Sequence, residues 1–181
     1  MSAIRARKEI GLLIGFVLIT VMGGGQLAGA SPGGSSIASY DGTSINLANG
    51  WEGAAVCAVT QGGNFCFATT SDYQTWLSSP GGQADVGFSP EINCSSALQL
   101  YSGTNYEGSE LSLLDEGVWL NLSTYGFSDK TNSYKVGACE VSMTSAQNGG
   151  GTVYPGPMAA GTDAASMESG WSDRIQSAYI L

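Results

Sequence analysis

The sequence contains no histidine and few charged residues of any kind. Without histidine there is no serine–histidine or cysteine–histidine nucleophile, no imidazole general base and no histidine metal ligand. Residues 31–129 also lack lysine and arginine. Nucleic acids and anionic membranes are bound through cationic surface, so we expect neither as a partner. The lack of histidine leaves a hydrolase that works with carboxylates alone as the enzymatic alternative, and we expect a protein that is not an enzyme.

The N-terminus has the features of an export signal. A basic stretch, RARK at 5–8, precedes an apolar run over 10–22, and a small-residue cleavage site, AGA, stands at 28–30. The run is shorter than the roughly 20 apolar residues of a membrane span, so a cleaved signal peptide over 1–30 is favoured over a retained anchor. We therefore expect a secreted, extracellular protein with no membrane attachment after cleavage.

Export would leave a small acidic chain. Residues 31–181 keep 14 acidic side chains against three basic ones, a net charge of −11. This length suits one domain with a small accessory lobe, and we expect a monomer. The 27 glycines and the short alternating apolar segments predict an all-β protein.

Two of the four cysteines lie in a hairpin-like stretch, AVCAVTQGGNFCFAT. If Gln61 and Gly62 are the central turn residues, Cys57 lies directly opposite Cys66, where side chains come close. A turn centred on Gly62 and Gly63 is the rival, and it would misalign the cysteines. A disulfide between Cys57 and Cys66 is therefore favoured.

The other two cysteines, Cys94 and Cys139, would then pair with each other. Disulfides are the default state of cysteines in an exported chain. A four-cysteine metal site is the alternative, but the sequence has no CxxC knuckle.

The chain divides into three parts after the signal. Residues 31–79 are predicted to form the accessory lobe, beginning with a flexible tail over 31–39 and containing a candidate strand, SINLA, and the hairpin. Residues 80–93 have two prolines and read as a linker. Residues 94–181 are predicted to form a β domain.

The lobe ends in a predicted short helix, DYQTWLSS, with Ser71 or Asp72 as its N-cap. Tyr73, Trp76 and Leu77 would share one face of this helix.

The β domain contains an internal repeat. GFSDKTNSYKV at 126–136 matches GWSDRIQSAYI at 170–180 with an offset of 44 residues. This repeat predicts two copies of one motif, over 97–139 and 140–181.

A second signature precedes the repeat, in the stretch YSGTNYEG. Tyr101, four residues, Tyr106, one residue and Gly108 resemble the folded hairpin of the βγ-crystallins. Glycine reaches positive φ without a steric clash, so a hairpin can fold back there and be held by an aromatic ring. A partial echo occurs at Tyr154 and Gly156.

The resemblance is to secreted bacterial βγ-crystallin-like proteins, a superfamily that includes microbial metalloproteinase inhibitors. It implies two Greek-key motifs packed as a β-sandwich. The lobe before it resembles the accessory region of secreted actinobacterial members. In this arrangement the pairing of Cys94 with Cys139 would close the first motif.

The resemblance also implies calcium-binding loops within the repeat. The hypothetical ligands are Ser128, Asp129, Asn132, Ser172, Asp173 and Gln176. Calcium accepts carboxylate, amide and carbonyl oxygens, and one carboxylate per loop predicts weak binding. The open alternative is that the two aspartates only close turns by hydrogen bonds to the backbone.

We therefore expect a secreted, non-enzymatic binding or structural protein, calcium-stabilised if the loops bind. The alternative function is inhibition of a secreted metalloproteinase. A secreted protease or a cell-surface component is the expected kind of partner.

Overall fold

The computed structural model describes residues 34–85, residue 94 and residues 96–181. The predicted signal peptide over 1–30 and most of the predicted linker, 86–93, lie outside the described residues. Among the described residues, no helix has both the length and the apolar character needed to cross a membrane.

Eleven strands and two α-helices make up the described chain. The strands are β1 Ile37–Tyr40, β2 Thr43–Asn46, β3 Val56–Thr60, β4 Gly63–Phe67, β5 Leu98–Tyr101, β6 Glu110–Leu113, β7 Trp119–Asn121, β8 Ser133–Lys135, β9 Val141–Thr144, β10 Asp163–Ala164 and β11 Ser177–Ile180. The helices are α1 Thr70–Ser78 and α2 Pro80–Asp85, and short 3₁₀ turns lie at Leu47–Asn49, Thr104–Tyr106, Leu122–Tyr125 and Gln147–Gly149. The all-β prediction is confirmed.

The strands form two sheets, and each of the two motifs contributes one strand to the sheet of the other motif. The first motif contributes β5, β6 and β8 to one sheet, but its remaining strand, β7, pairs with β11 of the second motif. In return β10 of the second motif pairs with β8 of the first. The two repeats are therefore interlocked, and neither completes a sheet from its own residues.

One hydrophobic core lies between the two sheets. Leu100, Leu111 and Tyr134 from one sheet and Leu120 and Met143 from the other are all 0% exposed and belong to one cluster. These residues occupy alternate positions of their strands, so the period-two pattern of the sequence places them on the inner face.

The β3–β4 hairpin has the predicted register. Thr60 pairs with Gly63 across a turn centred on Gln61 and Gly62, and Cys57 pairs with Cys66. The two disulfides predicted from the sequence, Cys57–Cys66 and Cys94–Cys139, are both present. The Cα atoms of the hairpin pair are 4.1 Å apart, as suits directly opposed residues on antiparallel strands.

The N-terminal strands extend the larger sheet. Strand β3 runs parallel to β6, with Cys57 opposite Leu111, so the sheet has eight strands in the order β10-β8-β5-β6-β3-β4-β1-β2. The indole of Trp51 also donates a 2.7 Å hydrogen bond to the carbonyl of Tyr125 and stacks on Phe127. These contacts attach the N-terminal strands to the first motif.

Three local predictions in this region are wrong. The predicted flexible tail contains strand β1, because its backbone pairs with both β2 and β4. Residues 80–85, predicted as the start of the linker, form α2. The N-cap of α1 is Thr69, whose hydroxyl oxygen accepts a 3.1 Å hydrogen bond from the backbone N–H of Asp72, so Ser71 and Asp72 lie inside the helix.

The three residues predicted to share one face of α1 all pack against one small cluster. Tyr73 is 1% exposed, and its hydroxyl is 2.7 Å from that of Ser112 on strand β6. Trp76 and Leu77 are partly buried against the same small cluster, which includes Val56 and Ala58. The helix therefore covers part of the outer face of the larger sheet.

Candidate functional site

The stretch that carries the tyrosine signature is a folded hairpin. Ser102 and Ser109 close it, with backbone N–H of Ser102 donating to the carbonyl of Ser109 at 3.0 Å and N–H of Ser109 donating to the hydroxyl of Ser102 at 2.8 Å. Gly108 has φ +80°, and a Cβ at this position would clash with the Ser102 hydroxyl. The hairpin therefore needs glycine at position 108 both for its positive φ and for its close approach to Ser102.

The ring of Tyr106 lies beside that of Tyr101, with centroids 5.8 Å apart in an edge-on arrangement. Its hydroxyl donates a hydrogen bond to the carboxylate of Asp163 on the exchanged strand β10. The tyrosine thus joins the hairpin of the first motif to a strand of the second.

The second copy of this hairpin lies at residues 145–152, so its assignment to Tyr154 and Gly156 is wrong. Backbone N–H of Ser145 donates to the carbonyl of Thr152, and N–H of Thr152 donates to the hydroxyl of Ser145, as in the first copy. Gly151, with φ +72°, takes the place of Gly108. Tyr154 is instead a buried residue whose ring lies against Gly156.

A sequence signal for the second hairpin was present. SGTNYEGS at 102–109 and SAQNGGGT at 145–152 share Ser, Asn and Gly at the same spacing, with Ser or Thr last. Asn105 and Asn148 both have positive φ, which asparagine tolerates better than most residues. The match between the two hairpins was missed because the second copy has no aromatic residue: Gly149 stands where the first copy has Tyr106.

The two predicted calcium loops cross each other. Asp129 and Asp173 have φ of +56° and +54°, in the left-handed region. Backbone N–H of Asp129 donates to the carbonyl of Ile175, and N–H of Asp173 donates to the carbonyl of Thr131. Each aspartate is therefore held by the loop of the other motif.

The side chains repeat this exchange. The amide nitrogen of Asn132 donates to the Asp173 carboxylate at 2.7 Å. The amide nitrogen of Gln176 donates to both oxygens of the Asp129 carboxylate, at 3.2 and 3.1 Å. Four of the six predicted ligand residues are thus brought together as two carboxylate–amide pairs, each spanning both motifs.

The two serines of the predicted set lie at the edges of this arrangement. The hydroxyl of Ser128 is 3.4 Å from the carboxylate of Asp129, and Ser172 is exposed. The structure places neither serine side chain against the loop of the other motif among the described residues.

Oxygen atoms surround the Asn132 amide. Besides the Asp173 carboxylate, the backbone carbonyls of Ser102 and Lys130 lie 3.0 and 3.4 Å from its nitrogen. A carboxylate and two carbonyls are ligands that calcium prefers, and an amide N–H and a cation compete for the same oxygens. The residues fit a calcium ion if the amide turns its own oxygen inward.

The basic side chains of the loops donate hydrogen bonds to backbone carbonyls. The ammonium of Lys130 donates to the carbonyl of Gly126 at 2.7 Å, and the guanidinium of Arg174 donates to that of Gly170 at 3.0 Å. Both carbonyls lie four residues earlier in the chain. The cationic side chains therefore leave the oxygens of the crossed loops accessible to a metal ion.

The described residues contain one other group with metal-ligating atoms, formed by Cys94, Glu116 and Cys139. The two cysteines are joined in a disulfide, so their sulfur atoms are not available as thiolate ligands. Within the described chain, the crossed loops are the better candidate for a metal.

Comparison with solved structures finds similar chains among βγ-crystallin domains. A βγ-crystallin from Ciona intestinalis has a TM-score of 0.41 and 17% identity, covering 47% of this chain and 99% of that one. A βγ-crystallin domain from Clostridium beijerinckii has a TM-score of 0.40 and 24% identity, covering 47% and 97%. A clostrillin double mutant in complex with nickel has a TM-score of 0.40 and 22% identity, covering 48% and 99%.

No protein-family model matches the sequence, and no curated protein matches it. These solved domains each cover about half of this chain. The two sheets, the two exchanged strands and the two equivalent hairpins of this chain show the predicted two-motif β architecture directly.

Proposed function

We propose that this chain is an exported, non-enzymatic binding protein of crystallin-like fold whose crossed loops bind calcium weakly. The observation that carries the proposal is the exchange of amide and carboxylate groups between Asp129, Asn132, Asp173 and Gln176. A fold implies no function by itself, so the proposal rests on this site.

Calcium would act here as a link between the two motifs. Each carboxylate faces an amide of the other loop, so an ion bound there would replace these hydrogen bonds with contacts to the carboxylate and the inward-turned amide oxygen, and the two motifs would stay linked. One carboxylate per loop gives low ligand charge, which supports dissociation constants of about 10⁻⁴ M or weaker. Such sites suit the calcium concentrations outside cells better than those inside.

Export is supported by the sequence and by the disulfides. The basic stretch, apolar run and cleavage site at the N-terminus are those of a signal peptide. All four cysteines are paired, and disulfides persist in oxidising compartments. We take the mature protein to be a secreted monomer.

The test is thermal unfolding of the mature protein with calcium and, separately, with magnesium. Binding to the folded state alone adds RT ln(1 + [L]/Kd), about 1.4 kcal/mol at ten times Kd. Magnesium controls for general screening of the acidic surface, because it requires a stricter octahedron and keeps its waters. The proposal predicts a larger rise in melting temperature with calcium than with magnesium.

The double variant Asp129→Asn/Asp173→Asn should lose the calcium-specific rise, because it removes both carboxylates and keeps their shape. Asp41→Asn is the matched control, since Asp41 is also an exposed turn aspartate with positive φ but lies between β1 and β2. Equal responses to the two ions, or a double variant that responds like the unmodified protein, would mean that the loops are only turns.

A further inference from the structure

A cleft lies away from the crossed loops, between helix α1 and the outer face of the larger sheet. Its volume is about 550 Å³, within the range of small-molecule and peptide sites. Helix α1 forms one wall, and the segment leading into strand β10 forms the other. Strands β5 and β8 form the floor.

The cleft contains a cationic group with unused hydrogen-bond donors. Of the three basic residues in 31–181, Lys130 and Arg174 donate to backbone carbonyls. Lys135 lines the cleft, and its ammonium lies 4.4 Å from the ring centroid of Tyr106 and 5.7 Å from that of Tyr101. Within the described part of the chain, it contacts these rings and donates no hydrogen bond.

The rings hold Lys135 in place. Tyr106 is fixed by its hydrogen bond to Asp163, which is the cross-strand neighbour of Lys135. An ammonium over aromatic faces is stabilised there and keeps its N–H groups available to an anion. The placement therefore favours one compact anionic group, whereas the acidic chain disfavours a polyanion.

The floor of the cleft is rigid and polar. Gln99 lies on it, and its amide nitrogen donates to the carboxylate of Glu110 at 2.8 Å. Glu110 is 3% exposed on the neighbouring strand, so Gln99 is anchored by a buried group. Gln74 of helix α1 faces the same cleft from the wall. Two amides across a cleft suit a ligand with peptide groups.

The remaining lining is partly polar, from Tyr73, Ser96, Thr162 and Asp163, and partly aliphatic. The carboxylate of Asp163 accepts the hydrogen bond of Tyr106. Leu77, Ala97, Leu114 and Val136 contribute to the walls. These side chains offer a surface for one apolar side chain of a ligand, next to the cationic group. The combination of ammonium, amides and aliphatic surface is what an α-carboxylate with its own side chain requires.

We propose that this cleft binds the carboxy-terminal end of a short peptide whose last side chain is aliphatic. Lys135 binds the carboxylate, the amides of Gln74 and Gln99 bind the peptide groups, and the aliphatic wall receives the side chain. A free peptide and the C-terminus of a protein share this chemistry. The site does not depend on calcium, because none of the crossed-loop residues lines it.

The test is an NMR titration of the mature protein with N-acetyl-Ala-Leu, and with the same peptide ended by an amide. We expect saturable shifts at residues 96–99, 135–137 and 161–163 with the acid, and affinity at least tenfold lower for the amide. Lys135→Met should lower affinity for the acid about tenfold, or about 1.4 kcal/mol, while Lys135→Arg should keep most of it. Lys130→Met is the matched control and should bind like the unmodified protein.

Three results would overturn the proposal. The first is the absence of saturable shifts with the acid at millimolar concentration. The second is equal affinity for the acid and the amide, and the third is an equal loss in Lys130→Met and Lys135→Met. The same acid extended by three residues at its N-terminus identifies the source of the ligand. Affinity equal to that of N-acetyl-Ala-Leu would mean that the cleft accepts a protein C-terminus, and lower affinity would indicate a free short peptide.

Discussion

Asn132 of the first motif and Asp173 of the second are joined by a 2.7 Å hydrogen bond. The donor is an amide and the acceptor a carboxylate, and hydrogen bonds to charged groups contribute more than neutral ones. The same Asn132 amide also donates to the carbonyl of Ser102 in the folded hairpin. Asn132 thus connects three parts of the chain that are distant in sequence.

A double-mutant cycle should measure this connection. We expect Asn132→Ala to lower the free energy of unfolding by about 1–2 kcal/mol, because it removes donors to both Asp173 and Ser102. Asp173→Ala removes only one of these contacts, so the coupling should be about 0.5–1 kcal/mol. Urea unfolding without calcium provides the measurement, and a coupling of zero would show that the pair contributes nothing.

Alanine at Gly108 should destabilise more than alanine at Gly117. Both glycines have positive φ, +80° and +76°, so both variants strain the backbone by about 1 kcal/mol. A Cβ at Gly108 also clashes with the Ser102 hydroxyl, whereas nothing lies within 4 Å of one at Gly117. We expect a total loss of about 2–3 kcal/mol at Gly108. Equal melting temperatures for the two variants would contradict the close packing of the hairpin.

Thr131→Val should stabilise the protein. The Thr131 side chain is 0% exposed, and its hydroxyl has no hydrogen-bond partner within the described residues. Ile175, at the equivalent position of the second motif, is apolar and equally buried. Valine has nearly the same shape and removes an unsatisfied polar group, so we expect a gain of about 1 kcal/mol. A loss of stability in chemical unfolding would show that the hydroxyl makes a favourable interaction.

Glu110→Gln should flatten the dependence of stability on pH. Burial raises the pKa of the Glu110 carboxyl above the ordinary 4.5, against the lowering effects of the Gln99 hydrogen bond and the Lys135 charge. The folded state therefore holds this proton to higher pH than the unfolded state, and stability falls as pH rises from about 4.5 through the folded-state pKa. Glutamine cannot ionise, so the stability of the variant relative to the unmodified protein should increase with pH.

Urea unfolding at several pH values between about 4 and 7 measures this difference. Glu107→Gln controls for the loss of one negative charge, because Glu107 is exposed on the same hairpin. A relative stability that stays constant or falls with pH in Glu110→Gln would contradict the effect of burial.

Local patterns in the sequence were sufficient to predict much of this fold. The two-residue turn at Gln61 and Gly62 set the pairing of Cys57 with Cys66, because register in a hairpin is fixed by its turn. The repeat with an offset of 44 residues located both crossed loops. Where the signal depended on one residue type, as with the aromatic residue of the second hairpin, the prediction was misplaced.

Contacts between distant elements could not be predicted in the same way. The hydrogen bond between Asn132 and Asp173 depends on how the two motifs pack, which no local pattern specifies. The cleft at Lys135 is formed by a helix, two strands and a loop that are separated in the chain. Strand β1 had a local signal that was missed, because it pairs with β2 across the two-residue turn Asp41-Gly42, which is typical of a hairpin.

The strand exchange has a consequence for the order of events in biogenesis. Strand β7 finds its partner only in β11, so about 55 residues must be synthesised after β7 before that sheet can begin to form. A chain that is threaded through a translocation channel must remain unfolded until it has crossed, and this topology delays the closing step of the first motif. Delayed assembly of this kind suits the proposed export, and because each motif supplies a strand to the other we expect the two motifs to fold and unfold together.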